Sequence, residues 1–367
     1  MNHIQAEGRS FQRFTRFVAF FSVLLIWWGA ATTTKQAGMA FADWPLSFGS
    51  INPEGWLNRM APFLEHSHRL LATLTGLFVL TLFSWAYAKS GKRVLEVIVL
   101  VVMLAVIFGV FIAGGAERSD PERKQSLLLF GTGLSLIPIG WLAWSWIGRS
   151  WRLIEKLTAL ALLMVTIQAI LGGLRVTEIS NTFAVLHGCL AQAFFCLLIL
   201  IVMVAGDKWD TARYSGSLGA RVGAAVLLAS ISTQLVLGAS MRHFHRYGLA
   251  DTDLLKTQGE WIPGLSEPII AVMFFHKATA FLILGIAVAL ALYLGRKEKG
   301  GDRGALRHIY LIVGLLLCQI TLGLIVIATG KHFWMTNFHV INGLAILAVT
   351  FVFLVKLWRD GLALAKP

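Results

Sequence analysis

The chain has 367 residues, of which 57% are hydrophobic and 14% are charged, and it carries a net charge of +13 and three cysteines. Soluble domains contain about 25% charged residues, so this composition excludes a soluble protein, and three cysteines are too few for a disulfide-rich secreted one. The positive charge is typical of basic loops beside a membrane, and no nucleic-acid partner is expected because no basic patch lies outside such loops.

Ten segments along the chain are long and apolar enough to cross a bilayer as helices, which takes about 20 residues each. Continuous apolar runs predict an all-α membrane protein rather than an outer-membrane barrel, whose strands would alternate in polarity. The predicted spans are residues 17–34, 64–88, 94–115, 125–147, 154–174, 181–205, 222–241, 268–295, 306–329 and 335–357.

The lysines and arginines between these segments are unevenly distributed. With the N-terminus in the cytoplasm, the inner segments carry about twice as many of them as the outer segments. The positive-inside rule therefore predicts that both termini are cytoplasmic and that the long loops, about 35–63 and 242–267, lie outside. We expect the inner membrane of a bacterium, with the lipid bilayer as the surroundings.

The two halves of the chain repeat the same features in the same order. Residues 168–176 read QAILGGLRV, and residues 319–327 read QITLGLIVI. Earlier in each half, a predicted span leads into a polar loop, with GMAFADWPL at 38–46 and GLADTDLL at 248–255. Several matches in one order indicate an ancient duplication of a four-helix unit.

This repeat predicts the domain organisation. We expect two pseudo-symmetric four-helix transmembrane bundles, formed by residues 1–208 and 209–367. Segment 94–147 has no counterpart in the second half, so it predicts two inserted helices in the first half.

Four histidines lie within or at the ends of predicted spans, where an ionisable residue is costly and usually functional. In the predicted orientation all four lie near the outer ends of their helices, as the pairs His68 with His187 and His276 with His339. Two imidazoles at one depth on two helices suit the axial positions of a haem iron. The alternatives are hydrogen-bonded core histidines and a zinc site, which would normally recruit three or four ligands.

An acidic residue distinguishes the first half from the second. Glu65 precedes His68 by three residues on the same helix face, whereas Met273 takes the corresponding place before His276. We therefore expect a reactive site in the first half, with Glu65 as its catalytic carboxylate, and an electron-transfer site in the second. The alternative is that Glu65 complements the dipole of its helix.

Other residues near these histidines have expected roles as well. Arg69 and Lys277 each follow a histidine of the pairs, and we expect them to neutralise haem propionates unless they extend to the membrane surface. His66 is expected at the interface rather than as a ligand. Three glycines are expected to let helices pack closely, namely Gly172, Gly173 and Gly323.

The sequence resembles the haem A synthase family, which includes the mitochondrial assembly factor of cytochrome c oxidase. The resemblance covers nearly the whole chain apart from residues 94–147. It is carried by Glu65-His66-Ser67-His68-Arg69, by the segments 43–46 and 168–174, and by His187, His276 and His339.

The resemblance implies an activity that the spacing of residues does not. The family oxidises the C8 methyl group of haem O to a formyl group, which yields haem A. By this resemblance His68 and His187 hold the substrate haem, His276 and His339 hold a haem b that passes electrons, and Glu65 is the important carboxylate. It also implies a haem O synthase and cytochrome c oxidase assembly factors as partners. A second copy of the chain is a further candidate partner, and the sequence does not identify the electron donor.

Two features depart from the family pattern. The first outer loop lacks the cysteine pair that many members carry, and we count ten spans where the family usually has eight. The alternative function is a bis-histidine membrane cytochrome b that transfers electrons from quinol without modifying haem, but Glu65 has no counterpart before His276. A transporter is disfavoured because Pro138, in the unrepeated segment, is the one proline well inside a predicted span.

Overall fold

The computed structural model describes residues 8–117, 119–148, 150–209, 214, 217–244, 253–297 and 303–363. Within these residues, ten helices are long and apolar enough to cross a membrane, which confirms the ten predicted spans. A short 3-10 helix, Trp56–Asn58, precedes the second of them. The helices are α1 (Arg9–Thr34), α2 (Met60–Tyr87), α3 (Gly91–Ala116), α4 (Pro121–Gly148), α5 (Leu153–Thr177), α6 (Asn181–Ala205), α7 (Leu218–His243), α8 (Pro268–Lys297), α9 (Arg303–Ala328) and α10 (Phe333–Ala363).

Helix α1 begins at Arg9, eight residues before the predicted span. Hydropathy marks only the part of a helix that suits the bilayer, whereas helical hydrogen bonds continue through polar residues. The additional turns pack against the first half of the chain. Phe11 is 1% exposed, and Gln12 donates a hydrogen bond from Nε2 to Asp207 Oδ1 over 2.7 Å.

The chain divides into two compact units, Met1–Asp207 and Lys208–Pro367. In the first unit α1, α2, α5 and α6 form a ring, in which α1 packs on α2, α2 on α5, α5 on α6 and α6 on α1. In the second unit α7, α8, α9 and α10 pack in the same cyclic order. Each unit thus contains a four-helix bundle in which the first and third helices of the ring, and the second and fourth, lie on opposite sides.

Helices α3 and α4 form a hairpin outside the ring of the first unit, and they correspond to the predicted insertion. They pack mainly on each other and touch the ring through α2 and α5. Large apolar side chains on their outer faces are exposed, including Val102, Leu129 and Leu136. Such faces suit contact with lipid chains, which are as apolar as leucine.

A buried carboxylate connects this hairpin to the ring. Glu155, at the start of α5, is 1% exposed and accepts hydrogen bonds from Arg93 Nη1 of α3 over 2.8 Å and from Arg152 Nε over 3.0 Å. Arg152 Nη2 in turn donates to the Ala86 carbonyl of α2 over 2.9 Å. The starts of α3 and α5 are therefore tied to the end of α2.

We expect Glu155→Ala to lower the apparent Tm of the detergent-solubilised protein, because Arg93 and Arg152 lose their shared acceptor. Both arginines keep partial access to solvent, so the expected loss is about 1–2 kcal/mol. Thermal unfolding followed by circular dichroism measures it. The control is Glu122→Ala, since Glu122 is exposed at the start of α4, and equal Tm values for the two variants would contradict the anchoring role.

Candidate functional site

The two histidines of the first unit face the interior of its ring from opposite sides, since His68 is on α2 and His187 is on α6. Each imidazole lies against a glycine of a neighbouring helix. A Cβ atom at Gly29 of α1 would be 2.9 Å from His68 Cε1, and a Cβ at Gly172 of α5 would be 3.2 Å from His187 Cε1. His68 also lies within electrostatic range of His187. The glycines of the opposite helices α1 and α5 therefore make space for the histidines of the opposite helices α2 and α6.

The second unit repeats this arrangement. His276 of α8 lies against Gly238 of α7, where a Cβ would be 3.0 Å from His276 Cε1, and His339 of α10 lies against Gly323 of α9 at 3.2 Å. His276 is within electrostatic range of His339. Both units thus direct two imidazoles from opposite helices into one bundle.

All four histidines are near the first residues of their helices. His68 and His276 each come eight residues after the start of α2 and α8, and His187 and His339 each come six residues after the start of α6 and α10. The long loops 35–59 and 253–267 connect the helices at this same end, which we call the loop end. Residues 245–252, which include part of the polar loop predicted at 248–255, lie outside the described residues.

Glutamines one turn before the glycines hold the histidine helices. Gln168 donates from Nε2 to the His187 carbonyl over 3.0 Å, and Gln234 donates in the same way to the His276 carbonyl over 2.8 Å. In α9 the Nε2 of Gln319 is instead 3.2 Å from the His339 ring. The sequence reasoning missed these contacts, although their signal is visible as Gln-x-x-x-Gly at residues 168–172, 234–238 and 319–323.

The imidazole nitrogens have the chemistry of axial haem ligands. The Nδ1 atoms of His68, His276 and His339 are buried without a hydrogen-bond partner, which is rare for buried polar atoms. The Nδ1 of His187 and the Gln168 carbonyl are 3.1 Å apart, a contact that leaves Nε2 free to bind a metal. Among the described residues no group of three or more His, Cys, Asp or Glu side chains could hold a metal ion, whereas a haem iron needs only two axial ligands. The donor set of each unit therefore fits a haem.

Glu65 is buried beside the first histidine pair, with 4% of its surface exposed. Its Oε2 accepts hydrogen bonds from the backbone amides of Ala40 and Phe41 over 2.5 and 3.2 Å. Its Oε1 accepts a hydrogen bond from Arg69 Nη2 over 2.6 Å. Three donors thus orient a carboxylate that also connects α2 to the loop before it.

Arg69 and Lys277 hold the long loops of their units. Arg69 Nη1 donates to the carbonyls of Asp43 and Leu46 over 2.7 and 2.5 Å. Lys277 Nζ donates to the carbonyls of Asp253 and Lys256 over 2.8 and 2.6 Å. The sequence did not indicate that both side chains bind loop carbonyls. Their role in neutralising haem propionates stays a prediction.

The loops contain the same turn at corresponding places. The Asp43 carboxylate accepts a hydrogen bond from the Gly49 amide, and the Asp253 carboxylate accepts one from the Gly259 amide, each over 2.6 Å. Both glycines have positive φ angles, 72° and 82°, a conformation that other residues rarely adopt. The similarity between the two units therefore extends from the helices into the loops.

The pair Gly172-Gly173 accommodates two different rings. Gly172 faces His187, whereas a Cβ at Gly173 would be 2.6 Å from Cδ2 of Trp44 in the loop. Trp44 also packs edge-on against Phe111 of α3, with ring centroids 5.3 Å apart. Gly173 was expected to allow close helix packing, but its neighbour is a loop residue.

His66 was expected at the interface, but it is buried beneath the loop. It is 4% exposed, and its Nδ1 is hydrogen-bonded to Ser47 Oγ over 3.0 Å. The Trp56 ring packs edge-on against it, with centroids 4.7 Å apart. His66 therefore helps to attach the loop to α2.

Comparisons with known proteins agree with one another. Residues 129–351 match the COX15-CtaA family model, which is described as cytochrome oxidase assembly protein. A haem A synthase of Rhizorhabdus wittichii is 30% identical over 374 residues, which cover 95% of this chain and 92% of that protein. A haem A synthase of Halalkalibacterium halodurans is 23% identical over 353 residues, which cover 95% and 97% of the two chains. The similarity extends over nearly the full length of these relatives.

Proposed function

This chain belongs to the COX15-CtaA family of cytochrome oxidase assembly proteins, and we propose that it oxidises the C8 methyl group of haem O to the formyl group of haem A. It is an integral membrane oxidoreductase of haem A biosynthesis, as its haem A synthase relatives and its ten apolar helices indicate. The observation that carries the proposal is the histidine pair across each bundle, with a buried carboxylate beside the pair of the first unit.

The first unit is proposed to hold the substrate. His68 and His187 would bind the iron of haem O, because their imidazoles face one interior from opposite helices. Gln168 fixes the backbone of His187 and accepts from its ring, which orients that imidazole toward a metal.

The second unit is proposed to hold haem b through His276 and His339. Their Nδ1 atoms are buried without hydrogen-bond partners, and neutral imidazole is a good iron ligand. When bound there, haem b supplies one-electron transfer. Met273, in place of a carboxylate, is 2% exposed, so the position that corresponds to Glu65 cannot transfer a proton.

Glu65 is proposed to orient water or to accept a proton in the oxidation. An ionised carboxylate has about four acceptor sites, and the amides of Ala40 and Phe41 and the guanidinium of Arg69 use three. The remaining site is available to a water molecule or a proton. Glu65 would thus act from an orientation that the loop determines.

The loop is proposed to keep bulk water from the substrate site. Phe41 and Leu46 are 1% and 6% exposed, and Arg69 holds the loop carbonyls on either side of Trp44. Exclusion of water protects reactive intermediates from side reactions.

The enzyme is proposed to lie in a bacterial inner membrane. The bias of lysine and arginine between the spans supports cytoplasmic termini in a bacterial inner membrane, with the loop end outside. A haem O synthase, other cytochrome c oxidase assembly factors and a second copy of the chain are proposed partners.

The test is to extract and separate the haems of the purified protein after expression with a supply of haem O. We expect haem A or hydroxylated haem O together with haem b. Haem b alone, beside unmodified haem O, would contradict the proposal and favour a cytochrome b that takes electrons from quinol.

A glycine variant tests the space that the second unit provides for its histidine. We expect Gly238→Leu to displace the His276 ring, which lies 3.0 Å from the place of a Cβ, and to weaken haem b binding roughly 10–100-fold, as for other changes around metal ligands. Titration of the haem-free protein with haem b measures the affinity. Gly314→Leu is the control, because no atom lies within 4 Å of a Cβ there, and equal affinities would contradict the arrangement.

A further inference from the structure

Arg175 is a cation near the substrate histidines whose guanidinium forms no hydrogen bond or ion pair with any described residue. It is near the end of α5, within a membrane span. A charged side chain in a span is costly unless it is paired or reaches water, and it usually marks a functional site. An anion beside Arg175 would supply such a partner.

The position of Arg175 directs it toward the histidine pair. It follows Gly172 by three residues, so it lies on the same face of α5, one turn nearer to the loop end. Gly172 lies directly against the His187 ring. Arg175 is within electrostatic range of both His187 and His68, so an anion bound to Arg175 would belong to a ligand between these histidines.

The loop is shaped to admit the guanidinium. A Cβ atom at Gly38 would be 3.1 Å from Cζ and 3.2 Å from Nη1 of Arg175, so any other residue at position 38 would displace this group. Glu65 is within electrostatic range of Arg175 but forms no ion pair with it, and its two oxygens accept hydrogen bonds from Arg69 and two backbone amides. The guanidinium thus lies against the loop at Gly38, with its donors unused by the described residues.

Arg69 is less suited to the same task. Its Nη1 is bound to the carbonyls of Asp43 and Leu46, and its Nη2 to Glu65. A ligand carboxylate would have to displace these acceptors. Arg175 has no such competition among the described residues.

The second unit has an arginine in a related place. Arg242 follows Gly238 by four residues on α7 and is within electrostatic range of His339. In each unit an arginine therefore lies one turn beyond a glycine that faces a histidine. The arginine is on the third helix of the first ring and on the first helix of the second ring.

We propose that Arg175 binds a propionate carboxylate of the haem held by His68 and His187. The proposal rests on the proposed function and names the part of the substrate that the first unit recognises. Guanidinium and carboxylate form paired hydrogen bonds of matching geometry. The site would then select porphyrins with free carboxylates, and the propionate edge of the substrate would point to the loop end beside α5.

The experiment compares haem O with haem O dimethyl ester, whose propionates carry no charge. Each is titrated into the full-length protein with haem b in place, and binding is followed by absorption. We expect the wild type to bind haem O about tenfold more tightly than the ester, the effect of one charged hydrogen-bonded pair. Arg175→Gln should lose this preference, because it weakens the binding of haem O but not that of the ester. Arg175→Lys should keep part of the preference.

Binding of the ester shows whether the variant is folded, because this binding needs the histidines but not the guanidinium. The control is Arg59→Gln, which removes the same charge from an exposed position at the loop end and should keep the full preference. An Arg175→Gln protein with the wild-type preference would overturn the proposal. The proposal would also be overturned if the Arg175→Gln protein lost co-purified anionic phospholipid but kept its preference for haem O. Arg175 would then bind a lipid headgroup.

Two results distinguish the propionate contact from the oxidation. If haem O binds with the Arg175-dependent preference but is never converted, the assigned oxidation is wrong and the propionate contact stands. If conversion proceeds while Arg175→Gln keeps the preference, the contact is wrong and the oxidation stands.

Discussion

Replacing His276 with alanine is expected to remove nearly all haem b from the purified protein. The variant loses one of the two imidazoles that face the interior of the second bundle, and a haem with one axial ligand left is held mainly by apolar contacts. His339→Ala should have the same effect, because the two histidines are proposed to bind one iron. The measurement is the haem b content per protein, from the pyridine haemochrome spectrum.

The matched control for these variants is His332→Ala. His332 is exposed at the loop end of the second unit, seven residues before His339. Its removal should leave the haem b content unchanged. If His276→Ala or His339→Ala retained the wild-type content and spectrum, these residues would not be the ligands, and the second unit would have to hold haem b in another way.

Replacing Glu65 with alanine is expected to stop formyl formation while haem b stays bound. The carboxylate belongs to the first unit and contacts Ala40, Phe41 and Arg69, so the second unit keeps both of its histidines. Loss of a group that moves protons lowers a rate by roughly 10²–10⁴-fold. Chromatography of extracted haems measures the conversion, and the haemochrome spectrum measures haem b.

A second variant separates the chemistry of Glu65 from its role in holding the loop. Glu65→Gln keeps an oxygen that the amides of Ala40 and Phe41 can bind, but it removes the negative charge. A Gln variant that is as inactive as the Ala variant indicates that the charge is required. Glu54→Gln is the control, since Glu54 is exposed in the same loop. Full conversion by Glu65→Ala would contradict a catalytic role and leave Glu65 as a structural residue.

The difference between the two units favours a synthase over a cytochrome b with two equal haem sites. Both units present a histidine pair and a cation that holds a loop, yet Glu65 in the first corresponds to Met273 in the second. A protein that only transfers electrons has no need for a buried carboxylate at one haem. The Glu65 variants therefore test the choice between these two functions directly.

The sequence by itself determined the ten spans and indicated four histidines near the ends of spans as candidate ligands. Hydropathy suffices for the spans, because each must place about 20 apolar residues in the bilayer whatever its neighbours are. The repeat suffices for the histidines, because a duplicated ionisable residue in a span signals a requirement that both copies share. For the same reason the repeat marked residues 94–147 as a segment without a counterpart, and α3 and α4 lie outside the ring of the first unit.

The tertiary structure alone decided how these residues meet. The sequence shows His68 and His187 on two helices, but only the order of packing in the ring puts them on opposite sides of one interior. It likewise decided that Gly29 faces His68, that Arg69 binds the loop, and that the Arg175 guanidinium lies near the first histidine pair without a hydrogen bond or ion pair to a described residue. These contacts join residues far apart in the chain, whereas hydropathy and periodicity describe one helix at a time.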